Sequence, residues 1–248
     1  MPVEIFPLPG LPDVKPGDDI AAAIVTALRM SDMRIAENDI VVVAQKIVSK
    51  SEGRIVRLDT IVPSERAREW AHEWGKDAHL VELVLTESKR IVRMERGVII
   101  SETHHGFVCA NAGVDVSNAE EGTAILLPEN PDASARALQT RLSASLGCHV
   151  GVIVSDTFGR AWREGLVNVA LGVAGLEALR DYRGQHDAHG RPLQATVIAI
   201  ADELASAAEL VMGKSDRIPV AVIRGAGIAQ HAGSGLDLIR PAEKDLFR

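Results

Sequence analysis

The sequence is poor in cysteine and in aromatic residues: 2 of its 248 residues are cysteine and 3% are Phe, Trp or Tyr. Two isolated thiols, Cys109 and Cys148, are too few for a disulfide scaffold or a zinc site. Basic residues (27) are outnumbered by acidic ones (34), and no Lys/Arg-rich run marks a nucleic-acid surface. No apolar run reaches the ~18 residues of a membrane helix, and the first residues lack the features of a leader. We therefore expect a cytoplasmic protein that binds neither nucleic acid nor membrane.

What is present is typical of a folded domain. Hydrophobic residues make up 46% and charged residues 25% of the chain, close to the averages for globular proteins. Because the apolar content is mainly Ala, Val, Ile and Leu, a mixture of strands and helices is expected.

Hydrophobic patterning and turn residues predict the main elements. The predicted strands cover residues 40–44, 91–93 paired with 98–101, 150–154, 195–200 and 220–223. The predicted helices begin at Asp18 or Asp19, at Ser64 (ending at Gly75), at Asp77, at Asp132 (ending at Gly147) and at Asp202 (running to Val211).

Acidic residues stand out in two polar segments. In the segment 111–118, small residues and Gly allow a sharp bend, and Asp115 with Asn118 offers oxygen ligands for a divalent cation. An Asx-turn explains the same spacing equally well. In the segment 155–160, which follows a predicted buried strand, Asp156 and Thr157 are candidates for holding Mg²⁺ at the carboxyl end of that strand.

Basic residues lie close to both predicted strand ends. Arg160 and Arg163 could donate paired hydrogen bonds to a carboxylate or phosphate. Lys46 and Lys50, after the strand 40–44, could contact a polyphosphate, although solvated surface lysines explain them equally well. The triplet Gly213–Ser215 is not a P-loop, because Ala208 stands where the first glycine is required and a helix precedes the triplet.

Taken together, these segments resemble the coenzyme F420:L-glutamate ligase family, also called the F420 gamma-glutamyl ligases. The similarity covers nearly the whole chain in order, in the branch that includes members fused to a nitroreductase-like domain. The segments that carry it are 10–12, 17–19, 45–46, 49–54, 106–115, 126–128, 131–135, 155–160, 172–175 and 201–204.

This resemblance implies a GTP-dependent ligase that adds L-glutamate to coenzyme F420-0 and extends a γ-linked oligoglutamate tail through an acyl-phosphate intermediate. It implies one ligase domain over residues 1–248 with two intertwined subdomains. The implied fold is an α+β, two-part mixed fold peculiar to the family, a homodimer with active-site clefts. Mg²⁺ or Mn²⁺, as one or two ions, is the implied cofactor, with K⁺ as a further candidate. F420-0 or F420, L-glutamate and GTP are the implied partners.

The resemblance also assigns roles to residues. Asp115 and Asp156 would hold a divalent ion, with Thr157 at a second metal position, and Lys46 and Lys50 would act with the two carboxylates in catalysis. The assignment of Arg160 and Arg163 to substrate binding rests only on their position after Asp156 in the sequence. The implied GTP site consists of Leu11, Pro12, Asp13, Val14, Gln45, Lys46, Lys50, Asn118, Met212, Gly213, Ser215 and Asp216.

One position departs from the family pattern. Many archaeal members carry Glu as a second-metal ligand where this chain has Lys214, and a protonated lysine cannot ligate a metal. The second ion would then be displaced, held by other oxygens such as Asp216, or replaced by the ammonium charge. Two other functions fit the same residues: a non-catalytic deazaflavin-binding module of a larger flavin-dependent enzyme, and a metal-dependent phosphohydrolase.

Overall fold

The computed structural model describes residues 2–228 and 230–246, and this part of the chain contains twelve strands and six α-helices. The strands are β1 Glu4–Pro7, β2 Asp39–Ala44, β3 Ile55–Arg57, β4 Ser88–Glu95, β5 Val98–Thr103, β6 Val108–Ala110, β7 Thr123–Ile125, β8 Val150–Arg160, β9 Arg163–Ala174, β10 Arg180–Asp181, β11 Val197–Ile198 and β12 Val220–Arg224. The helices are α1 Ile20–Met30, α2 Gln45–Ser51, α3 Glu65–Trp74, α4 Ala78–Thr86, α5 Pro131–Leu146 and α6 Ile200–Met212.

A mixed five-stranded sheet forms the centre, in the order β1-β12-β2-β8-β9. Only β2 and β8 pair in parallel, and the other neighbours are antiparallel. Because β12 runs against both β1 and β2, and β8 runs parallel to β2, the carboxyl ends of β1 and β2 lie at one edge beside Ser155, beyond which β8 continues. Register places Ala44 opposite Ser155 and Pro7 opposite Ala221 there. We call this the carboxyl edge of the sheet.

Both faces of the sheet are covered by helices. Val41 and Val43 of β2 pack in one cluster with residues of α1 and α5, whereas Ile40 and Val42 pack in another cluster with α6. All four side chains are at most 2% exposed. An unbroken apolar strand such as β2 therefore has no solvent face, as expected for the middle of a covered sheet.

A third hydrophobic cluster lies in the segment 56–126, where helices α3 and α4 pack against residues of the three-stranded sheet β4-β5-β6. The two helices predicted to begin at Ser64 and Asp77, and the pairing predicted between 91–93 and 98–101, are confirmed. The mixed α+β class is also confirmed. The dimer, the clefts and the division of residues 1–248 into two subdomains stay predictions, and residues 1, 229, 247 and 248 lie outside the described part.

Helix caps explain why three of the predicted helix starts were accurate, whereas the helix predicted from Asp132 begins at Pro131, with Asn130 as its N-cap. The side chains of Asp19, Ser64 and Asp77 accept hydrogen bonds from the first-turn amides of α1, α3 and α4, which would otherwise lack partners. Gly75 and Gly147 end α3 and α5 in the left-handed conformation, which glycine adopts without a steric penalty.

Two predicted segments need correction. The strand expected at 195–200 shrinks to the two residues of β11, and α6 begins at Ile200, because a short apolar run fits a buried helix turn as well as a strand. The segment 155–160 does not follow a strand but continues β8 in a long hairpin with β9. Residues 45–51, for which no conformation was predicted, form α2.

In the described part of the chain, no helix has both the length and the apolar content that a membrane crossing needs.

Candidate functional site

The carboxyl edge gathers most of the segments singled out in the sequence. The connection from β1 to α1 leaves there and carries residues 11–14, while α2 begins directly after β2. Asp156 and Thr157 extend β8 just beyond Ser155. The segment 213–219 arrives at the same edge to enter β12. Sheet topology therefore brings together groups that are far apart in sequence.

Asp115 reaches this edge from a tight bend. Ala112 has a φ of 51° and Gly113 a φ of 72°, so the backbone turns sharply, as the small residues predict. The Lys46 ammonium lies 2.7 Å from Asp115 Oδ2, and the backbone amide of Ser117 donates to Asp115 Oδ1 at 2.6 Å. The Asx-turn and the charged contact are thus both present. Burial works to raise the pKa of Asp115, but the hydrogen bonds from Lys46 and Ser117 outweigh it and hold the pKa below its usual value.

Asp156 has the opposite electrostatic environment. Burial raises the pKa of Asp156 to about 6, and the nearby negative charge of Asp115 adds to the rise, against the amide of Thr157 and the charges of Lys46 and Lys214. Two carboxylates close together in a half-buried place repel each other. A cation between Asp115 and Asp156 would relieve that repulsion, and the pair therefore fits the predicted metal site.

The two aspartates supply only part of a coordination shell. In residues 2–228 and 230–246, no group of three or more His, Cys, Asp or Glu side chains could hold a metal ion. Mg²⁺ commonly binds through one or two carboxylates, with waters and substrate phosphates completing its octahedron. The donor set thus suits a metal–phosphate complex rather than a metal held by protein alone.

Thr157 belongs to a closed ring of polar side chains. Its hydroxyl donates to Asn168 Oδ1 at 2.6 Å and accepts from Lys214 Nζ at 2.6 Å. Asn168 Nδ2 donates to Glu209 Oε2 at 2.8 Å, and Glu209 Oε1 lies 2.9 Å from Lys214 Nζ. Asn168 and Glu209 were not predicted from the sequence, because only the register of β8 with β9 reveals that position 168 faces position 157.

The remaining predicted nucleotide residues differ in what they expose. Val14 and Met212 are at most 7% exposed and pack in the core, so only their backbones are available to a ligand. Gln45 is 1% exposed, and its Nε2 has no hydrogen-bond partner among the described residues. Pro12, Asp13, Asn118, Gly213, Ser215 and Asp216 are exposed, whereas Leu11 and Lys50 are half-buried.

Arg160 and Arg163 are not brought to the two aspartates. They face each other at the tip of the β8–β9 hairpin, and at ~3.3 Å per residue Arg160 is roughly 13 Å along the strand from Asp156. The Arg160 guanidinium donates to the backbone carbonyl of Glu164 at 2.5 Å. Their assignment to the substrate stays a prediction.

Comparisons with known proteins agree on one family. The family model described as F420-0:Gamma-glutamyl ligase matches residues 10–225. The coenzyme F420:L-glutamate ligase of Methanothermobacter thermautotrophicus is 47% identical over 251 residues, covering 100% of both chains. The protein of the same name from Methanocaldococcus jannaschii is 47% identical over 96% of this chain and 94% of its own. That from Archaeoglobus fulgidus is 43% identical over 100% and 97%. This chain belongs to the F420-0:gamma-glutamyl ligase family.

Proposed function

We propose that this protein is a GTP-dependent ligase that adds L-glutamate to coenzyme F420-0 and then extends a γ-linked glutamate tail. The observation that carries the proposal is the 47% identity, over the full length of both chains, with a protein named coenzyme F420:L-glutamate ligase. The ion pair between Asp115 and Lys46 lies beside Asp156 at the carboxyl edge of the sheet. This arrangement supports a reaction that transfers a phosphoryl group.

Amide formation from a free carboxylate needs activation, because a carboxylate is a poor electrophile. In the proposed reaction, a carboxylate oxygen of the acceptor attacks the γ-phosphorus of GTP, and the bond from that phosphorus to GDP breaks. The glutamate amine then attacks the carbonyl carbon of the acyl phosphate. Phosphate leaves with the electrons of the C–O bond, and the amine loses a proton to give the amide.

The residues at the carboxyl edge suit the charge that this transfer handles. The contact with Asp115 fixes the Lys46 ammonium, so that its charge is preorganised toward an incoming polyphosphate. Lys50, one turn further along α2, adds a second positive charge at the same helix. Asp115 and Asp156 would hold Mg²⁺ or Mn²⁺, and the ion when bound supplies neutralisation of phosphate charge.

Mass spectrometry of F420-0 incubated with the protein, L-glutamate, GTP and Mg²⁺ or Mn²⁺ tests the proposal, with each component omitted in turn. We expect glutamate-sized mass additions only in the complete mixture. GDP formation that does not require glutamate would favour a phosphohydrolase. Binding of F420-0 without any addition would favour a non-catalytic deazaflavin-binding module. Light scattering tests the homodimer that belongs to the same proposal.

A further inference from the structure

Lys214 is an exposed lysine whose ammonium group is nevertheless fixed. Its side chain is 61% exposed, which is usual for a mobile surface lysine. Here Nζ donates to Thr157 Oγ1 at 2.6 Å and lies 2.9 Å from Glu209 Oε1. An ammonium group has three N–H donors, so one remains beyond these two contacts.

The partners of Lys214 are themselves held in place. Asn168 is 3% exposed, accepts from the Thr157 hydroxyl and donates to Glu209 Oε2. The backbone carbonyl of Asn168 accepts from Ser206 Oγ at 2.7 Å, which ties β9 to α6. Each member of the ring thus has a defined partner, and such a network is rigid.

These contacts leave little for a second metal ion. The Thr157 hydroxyl already gives its hydrogen to Asn168 and accepts from Lys214. Glu209 uses one oxygen for Asn168 and the other for Lys214. The Thr157 hydroxyl, which was predicted to serve a second ion, and both oxygens of Glu209 are therefore already engaged within the ring, and the Lys214 ammonium brings a positive charge to Thr157.

We propose that the Lys214 ammonium is a built-in second cation of the nucleotide site, that it contacts a phosphate group, and that Glu209 and Asn168 are its positioning residues. The inference rests on the proposed nucleotide-dependent function. The site then binds one divalent ion per chain, held by Asp115 and Asp156. The Lys214 ammonium supplies the positive charge that a second ion would otherwise provide.

Metal stoichiometry gives the first test. The full chain is titrated with Mn²⁺ in the presence of GDP, free Mn²⁺ is followed by electron paramagnetic resonance, and the Mn²⁺ bound by GDP alone is subtracted from a matched titration without protein. We expect one Mn²⁺ bound per chain. Two ions per chain in the wild-type protein would overturn the proposal, whatever the activity of the enzyme.

GDP affinity at saturating Mn²⁺ tests the positioning role. We expect Lys214→Ala to raise the Kd for GDP about tenfold, since one charge-assisted hydrogen bond is lost, and Glu209→Gln to raise it about threefold. Glu203→Gln, an exposed substitution on the same helix α6, is the matched control and should leave the Kd unchanged. The double variant with both Lys214→Ala and Glu209→Gln should bind GDP no more weakly than Lys214→Ala alone.

A purely structural role for Glu209 would instead give additive losses, and that result would overturn the positioning role. Normal GDP binding by Lys214→Ala would overturn the inference alone and leave the ligase proposal standing. Failure of the wild-type protein to bind GDP at all would contradict both. Thermal unfolding of each variant confirms that the compared proteins are folded.

Discussion

Two acidic residues from the family-like segments, Asp132 and Asp156, lie in regions with opposite surroundings. Asp132, at the start of α5, is 6% exposed and accepts from the amides of Val173 and Gly235 at 2.9 and 2.8 Å and from Ser234 Oγ at 2.5 Å. Asp156, on β8, meets the amide of its neighbour Thr157 and the negative charge of Asp115. The first carboxylate is supplied with donors, and the second is short of them.

The difference separates a carboxylate that the fold holds through several donors from one that remains available to a cation. The donors around Asp132 join α5, β9 and the segment 234–235, so this carboxylate holds three parts of the fold together. The shortage of donors around Asp156 costs stability in the free protein, and a metal ion would remove that cost. The same residue type in two segments thus meets opposite surroundings, which the sequence alone does not distinguish.

The largest expected effect is on catalysis. Asp156→Asn keeps the size of the side chain but removes the charge that would hold the metal, so we expect ligation to fall at least about 100-fold. The free energy of unfolding should stay the same or rise slightly, because an unfavourable charge is removed. Mass-spectrometric turnover and denaturant unfolding measure the two quantities. Unchanged turnover in the folded variant would remove Asp156 from the mechanism.

Substitutions at the junction around Asp132 should lower the free energy of unfolding far more than Asp156→Asn does. A Cβ atom at Gly172 would lie 2.1 Å from the backbone oxygen of Pro131, so Gly172→Ala must push α5 away from β9. We expect a loss of about 3 kcal/mol in the free energy of unfolding.

Gly159→Ala is the matched control on the same sheet, because its added Cβ would meet only Leu166 Cδ2 at 3.9 Å. Its effect should stay within about 0.5 kcal/mol. Urea unfolding of both variants provides the comparison. Equal stability of the two would show that the close approach of α5 to β9 is not needed.

How far the sequence predicts these two regions depends on the range of the interactions. Strand β2, the caps at Asp19 and Ser64 and the bend before Asp115 were predictable, since each rests on neighbouring residues. Strand β9 was not predicted at all, because its outer part is polar and forms a strand only through pairing with β8. Unless that pairing is known, no pattern in the sequence predicts that Asn168 and Glu209 join Thr157 and Lys214 in one ring.

Asp132→Asn should have a smaller effect than the glycine substitution. One acceptor oxygen is kept for the amides of Val173 and Gly235, whereas the charge that strengthens those bonds is lost. We expect a loss of about 2 kcal/mol, with little change in turnover after correction for the folded fraction. Asp156→Asn, measured by the same urea titration, should show no such loss. A loss of equal size in both variants would contradict the contrast between the two carboxylates.

The smallest effect is a dependence of stability on pH. The pKa of Asp156 is raised from 3.8 to about 6 in the folded chain, so its carboxyl group stays protonated to a higher pH in the folded state than in the unfolded state. Its contribution to the free energy of unfolding is therefore fully present below about pH 4 and is lost as the pH rises toward 6.

A shift of about two pKa units sets an upper limit of about 3 kcal/mol, and partial exposure of the side chain lowers the expected loss to about 1 kcal/mol. The difference in unfolding free energy between wild type and Asp156→Asn, without metal, should change by that amount between pH 4 and pH 7. Saturating Mn²⁺ at pH 7 should reverse the loss in wild type only, because the ion binds the charged carboxylate. A pH-independent difference would mean that Asp156 is as well supplied with donors as Asp132.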